Sequence, residues 1–377
     1  MNTSLEDDDS LYSTTSVNCE YEPPPMTNVR FWLVTVFGST VSFISIVNNI
    51  ILFYLFISRK QHRMNHNMYL MLLAFFDIFV STAYICLMSV NVLSDYLQSP
   101  MLVRIWYSYM VPMITISHIA MTTSSFLIVA ASFERYCLTV NSTHLPFAQK
   151  NRKLIAAVAI FLGVISKGTM GLEFQLLEPE ECAGLMTAIQ MDYRTFVFDT
   201  PYHVVWRFWL EQFIQFFVLL LFLPNKANKE TFQILFQFQH IVTLLINLRR
   251  TFLYIFLIQN EKSNFHATAR AATRTLVMVV CCYLISNIIN VALTIWEHVD
   301  KQTLVTKYID LYAIAVDLVS LLTTMACACR LPIYLTCQSA LRGEVKKMLI
   351  IKSVLVYNLH KCLIESSEFH DILNFLL

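Results

Sequence analysis

Four acids stand in this chain where acids are costly. Asp77 lies in LLAFFDIFV, Glu211 in FWLEQFIQFF and Asp317 in AIAVDLVSLL, while Glu134 closes a run, FLIVAASF, of eight uncharged residues and opens the triplet Glu134-Arg135-Tyr136. Between Arg104 and Glu134 the only titratable side chains are tyrosines and His118. A carboxylate inside an apolar segment has no water to hold its charge, so it is expected to face a partner or a water-filled interior and to have a functional role. An acid beside an arginine at a segment end can hold it in a charge-assisted pair and release it to another partner, the behaviour of a two-state element. The plain alternative is a charged helix end reaching into the headgroups. No His-Glu-x-x-His or Gly-x-Ser-x-Gly motif is present, so the common metalloprotease and hydrolase chemistries have no sequence support.

The elements that must position these residues are membrane helices. The 377 residues are 56% hydrophobic and 14% charged, with a net charge of +1 and a mean hydropathy of +0.55. Soluble domains carry about 25% charged residues, and the near-zero charge offers no field for nucleic acid. Apolar segments fall near 31–57, 67–93, 105–133, 154–176, 204–223, 240–258, 273–296 and 308–333, most of them matching the roughly 20 residues a spanning helix needs. No repeat of transporter type is visible. The first 30 residues are polar and acidic and read as a disordered tail without a cleavable leader, so the first span is expected to act as the insertion signal.

Basic residues set the topology, because cytosolic loops collect them. Arg59, Lys60 and Arg63; Arg135, Lys150, Arg152 and Lys153; Arg249, Arg250, Lys262, Arg270 and Arg274; and the tail after Arg330 with Arg342, Lys346 and Lys347 share one side only if 204–258 crosses once. The expectation is an all-α membrane protein, a seven-transmembrane bundle with its N-terminus outside. It divides into the tail 1–30, the membrane domain 31–336, an amphipathic cytosolic helix 337–352 and a cytosolic tail 353–377. Of the ten cysteines, only Cys19 and Cys182 fall in outer segments, where an oxidising space lets them pair. The cysteines have no zinc-ligand spacing.

Asn49 in the first span precedes Asp77 by 28 residues; the third span ends in Glu134-Arg135-Tyr136; the last ends in RLPIY, with Pro332 and Tyr334, followed by LRGEVKKML. In these residues and their order, over about 31–350, the chain resembles the rhodopsin-like G-protein-coupled receptors. Within them it is most similar to FMRFamide-type and related chemosensory receptors of invertebrates, through YMVPM, FWLEQFIQFF, Trp296-Glu297 and RLPIY. The resemblance implies a plasma-membrane receptor with no cofactor. Arg135 would engage a heterotrimeric G protein and Glu134 would restrain it, while Asp77 would hold a sodium ion or a water network. The chain departs from that pattern at three places. Met110 stands where the family has a cysteine, 25 positions before Arg135; Tyr283 follows Cys282 without the proline kink; and Leu331 precedes Pro332 with Tyr334 one place early.

Under this resemblance the ligand pocket is expected among Ser117, His118, Met121, Glu211, Gln212, Glu297 and Asp317. Its acids suit a basic peptide, with a small-molecule chemosensor or a signalling-impaired receptor as alternatives. An intramembrane aspartyl protease would need facing acids, and the expected topology puts Asp77 and Asp317 at different depths. Asn2 is a glycosylation site by its sequon, and Cys337 is a candidate for palmitoylation, which would pin the amphipathic helix to the membrane.

Between 204–223 and 240–258 stands an insert near 224–240, carrying Lys226, Lys229 and Glu230. At the bilayer centre each of these charges would cost about 2.5–3.5 kcal/mol. Either 204–223 crosses alone and the rest runs along the cytosolic face, or the insert derives from an unspliced intron, which the Phe238-Gln239 ending suits. Deleting 225–239 is therefore expected to leave surface delivery, measured by cell-surface labelling, at or above that of the full chain. Retention and degradation of the shortened chain would make the insert structural.

Overall fold

A computed structural model of the chain describes residues 19–58, 67–139, 145–199, 202, 267–338 and 341–348. Five helices in it are long and apolar enough to cross a membrane: α1 (Thr27–Ser58), α2 (Asn67–Leu97), α3 (its apolar span Pro100–Glu134, its helix running to Thr139), α4 (Arg152–Glu173) and, last in the chain, Ile309–Cys337. Hydrocarbon offers the backbone no hydrogen-bond partner, so an apolar run of this length closes its bonds internally as a helix. Before the last of these comes α5 (Ala267–Thr306), whose shorter apolar stretch is Arg274–Tyr283; Ile309–Cys337 is α6, and residues 341–348 form α7. The segment expected to hold the fifth span, with the 224–240 insert, lies outside the described residues.

The helices pack in series: α1 on α2, α2 on α3, α3 on α4, α5 on α6, and α6 back on α1. Side-chain placement is inverted relative to a soluble bundle. Trp32, Phe43, Phe161 and Leu154 are each at least 60% exposed, while Ser42, Ser45, Asn49, Asp77, Ser81 and Thr123 are buried. Apolar surface outside and polar groups within is the pattern of helices that meet lipid around them and one another inside. The described residues are mostly helical, with five helices of the length and composition to span a membrane.

The observed helices start earlier or run longer than the sequence pattern placed them. α1 begins at Thr27, inside the segment expected to be disordered tail, and α4 begins at Arg152, a residue expected in a cytosolic linker. Two widened π-helical segments, Phe31–Gly38 of α1 and Tyr84–Ser89 of α2, pack on each other. Ser89 joins them: its hydroxyl donates to the Val34 carbonyl at 3.2 Å, and the Ser39 hydroxyl donates to it at 2.9 Å. Lower down, the Ser45 and Ser81 hydroxyls meet at 2.7 Å. Between membrane helices such short polar contacts act as adhesive.

On the side where α1 begins, a two-stranded antiparallel hairpin, β1 (Phe174–Leu177) and β2 (Gln190–Tyr193), follows α4. A disulfide joins Cys182 of this hairpin loop to Cys19, and the Thr187 hydroxyl donates to the Cys19 carbonyl at 3.0 Å. Residues 19–26 thereby form a strap tied to the hairpin. Met26, in the left-handed region at φ 54°, turns the strap into α1. On the strap, Tyr21 donates to Asp95 at 3.1 Å; burial and the neighbouring carboxylate push the Tyr21 hydroxyl up to about 12.

At the other end, Arg342 of α7 donates from Nε to the Leu335 carbonyl at 3.0 Å and from Nη2 to the Thr336 carbonyl at 3.2 Å. It caps the C-terminus of α6, where carbonyls lack helical partners and a cation is favoured. Leu341 and Val345 of α7 join the core cluster of Leu52, Phe56, Leu73, Leu127 and Val280. In α5, Asp300 leaves helical geometry (φ −152°, ψ 73°) and accepts from the Thr303 backbone N–H at 3.0 Å, an N-cap for the turn that follows.

α3 and α4 approach closely because Gly163 has no side chain: a Cβ there would lie 3.2 Å from the Thr123 Cα and on top of its hydroxyl. Gly163→Ala is expected to destabilise the bundle by about 1–3 kcal/mol through overpacking. Thr123→Ala in the same chain should restore most of the loss, read from thermal midpoints of the purified protein and its single and double variants.

Candidate functional site

Three acids on the membrane helices each meet an arginine from a neighbouring helix. Asp317 of α6 accepts from Arg30 of α1 through both oxygens, from Nε at 2.7 Å and Nη2 at 3.2 Å. Asp77 of α2 is paired with Arg330 of α6. Glu134 of α3 accepts from Arg152 of α4, from Nε at 2.9 Å and Nη2 at 2.5 Å. The planar guanidinium presents two N–H groups at the spacing of carboxylate oxygens, so the forked contacts of Asp317 and Glu134 fix geometry as well as charge.

The pairs sit at different levels. Asp317 and Arg330 are 13 residues apart on α6, about 20 Å of helix at 1.5 Å per residue. Asp77, at the level of Arg330, therefore lies far from Asp317, and the two acids do not face each other as a catalytic dyad would. Among the described residues no group of three or more His, Cys, Asp and Glu side chains is placed to hold a metal ion.

Around the Asp77–Arg330 pair the three helices α1, α2 and α6 converge. The Asn49 amide donates to the Ser45 carbonyl at 2.9 Å and to the Cys327 carbonyl of α6 at 3.2 Å. The Asn48 amide likewise donates to the Ala328 carbonyl at 3.1 Å. Tyr334 is fully buried with its ring 6.2 Å from that of Phe56, while Pro332 on the same helix is exposed. Tyr283 of α5 shares a 2.8 Å hydrogen bond with Ser125 of α3. The position beside Asp77 that the resemblance gives to a sodium ion is held by a guanidinium.

The Glu134 carboxylate is committed to Arg152; the side chains of Arg135 and Tyr136 lie outside the described residues, although their backbone belongs to α3. Ser117 is buried on α3, with His118 half-buried beside it. Met121 packs against Val80, Ala120 and Cys327. Glu211, Gln212 and Asn2 lie outside the described residues, as does the side chain of Glu297, whose neighbour Trp296 stacks near Tyr308 at 5.6 Å. Cys337 is half-buried against the core cluster. Met110, at the place of the missing cysteine, is buried, and Cys182 is bonded to Cys19 instead.

The sequence reading named the three acids and missed all three cations. Arg152 falls among the basic residues expected in a cytosolic linker, Arg330 opens the RLPIY end of the last span, and Arg30 is the last residue of the expected tail. One signal was available: each deep acid needs a cation, and these arginines stand at the very edges of apolar runs.

No model of a known protein family matches the chain, and comparison with curated proteins finds no match.

The Arg30–Asp317 contact generates a test. Asp317→Asn leaves the guanidinium facing an amide, and stability is expected to fall by about 2–3 kcal/mol, the scale for hydrogen bonds to a charged group. In Arg30→Met/Asp317→Asn the loss should be smaller than the sum of the single losses. A double-mutant cycle on thermal midpoints measures the coupling; strict additivity would show that the pair contributes nothing.

Proposed function

We propose that the chain is a seven-span receptor of the rhodopsin-like kind in the plasma membrane, carrying an extracellular signal to a heterotrimeric G protein. The observation that carries this reading is the convergence of Asn49, Asp77 and the Cys327–Tyr334 turn of α6 at one locus, with Glu134 locked to Arg152 near the far end of α3. Of these residues, Asn49, Asp77, Glu134 and Tyr334 also stand out by order and spacing in the sequence. An interior cross-link between helices, and an acid clamped beside an arginine at a helix end, are elements able to take two arrangements. The outer side in this reading is the side of the Cys19–Cys182 disulfide, since such bonds persist in oxidising spaces, and among the described residues Arg152, Lys153, Arg274, Arg342, Lys346 and Lys347 belong to the opposite helix ends.

The ligand in this reading is a basic peptide of the FMRFamide type, whose cation would compete with Arg30 for Asp317. A specific observation favours a second ligand class: with Asp317 already neutralised by Arg30, a neutral or weakly charged small molecule meets no unpaired charge there. Full-length chain in cells with a promiscuous G protein, challenged with peptides ending in Arg-Phe-amide and with small amines, separates these classes by calcium response. Arg135→Ala is expected to abolish nucleotide exchange while binding of the active compound persists. Exchange retained in that variant, at equal surface level, would reduce the triplet to a charged helix end.

A further inference from the structure

We propose that Arg330 is a tethered counter-cation for Asp77, and that it closes the interior of the bundle to free sodium. Asp77 is 1% exposed and Arg330 5% exposed, and the two are in direct contact between α2 and α6. A carboxylate at this depth keeps its charge only beside a cation. Arginine stays protonated under all ordinary conditions, and here it is covalently part of α6, so it cannot diffuse away.

The groups packed around the pair are neutral. α1 contributes Asn49, whose amide is turned to the Cys327 carbonyl; α6 itself contributes the Cys327 thiol and Tyr334; and α5 contributes Tyr283 and Cys282 near the guanidinium. Among the described residues no second acid stands within reach of Arg330. One carboxylate and one guanidinium thus balance, and a further cation entering the site would itself bring an uncompensated positive charge. The pair also joins the middle of α2 to the lower part of α6, so charge neutralisation and helix attachment are one contact. The inference stands whether or not the chain couples to a G protein.

The test measures the thermal midpoint of the purified full chain in sodium chloride and in choline chloride at equal ionic strength. The wild-type midpoint is expected to be the same in both salts. Arg330→Gln should lower it by several degrees in choline chloride, with part of the loss recovered in sodium chloride as the ion takes the vacated place. Asp77→Asn/Arg330→Gln, with neither charge, should recover the midpoint and lose the salt difference, because a buried pair can be replaced together with little cost. If Arg330→Gln yields no folded protein, recovery of folded yield in the double variant upholds the inference and continued failure overturns it. A sodium-dependent rise in the wild type that Asp77→Asn removes would also overturn it, since free sodium would then reach the carboxylate.

Discussion

Charge has to be neutralised where water is absent, and this constraint orders the bundle. Asp77, Asp317 and Glu134 are each buried and each answered by an arginine from an adjacent helix. α6 carries an acid for α1 and a base for α2. On an ideal helix residues 13 apart point about 140° away from each other, so α6 is gripped from two directions at two depths. Its rotation and its vertical position are both set, which apolar packing alone does not do, because leucine finds lipid as agreeable as another leucine.

Short polar contacts refine what the ion pairs establish. Ser39, Ser45, Ser81 and Ser89 link α1 to α2, and Gly163 brings α4 against Thr123. The paired π-helical segments of α1 and α2 widen both helices where they meet.

Much of this was legible in the sequence and some was not, for physical reasons. The five long helices were visible as apolar runs because hydrocarbon permits little else, and the disulfide was visible because only Cys19 and Cys182 fall in segments expected on the outer side. The ends were misplaced where polar residues belong to a helix: Thr27 to Arg30 read as tail, yet Arg30 is held in α1 by its contact with Asp317. The arginines at segment edges carried two meanings. As loop charges they indicate orientation; as side chains long enough to reach inward they neutralise acids, and composition cannot distinguish the two. The π-helical turns have no sequence signature; they meet where Gly38, lacking a side chain, leaves room for Tyr84 across the two helices.

The disulfide has a consequence for how the chain is made. Its two cysteines are 163 residues apart, and at about 5–20 residues per second a ribosome needs roughly 8–30 s to pass from one to the other. During that interval Cys19 is a thiol without its partner, while Cys86 and Cys137 are synthesised before Cys182 is. Both earlier cysteines belong to α2 and α3, and neither is disulfide-bonded in the folded chain. The strap is thus fastened only after all of the first four helices have been synthesised.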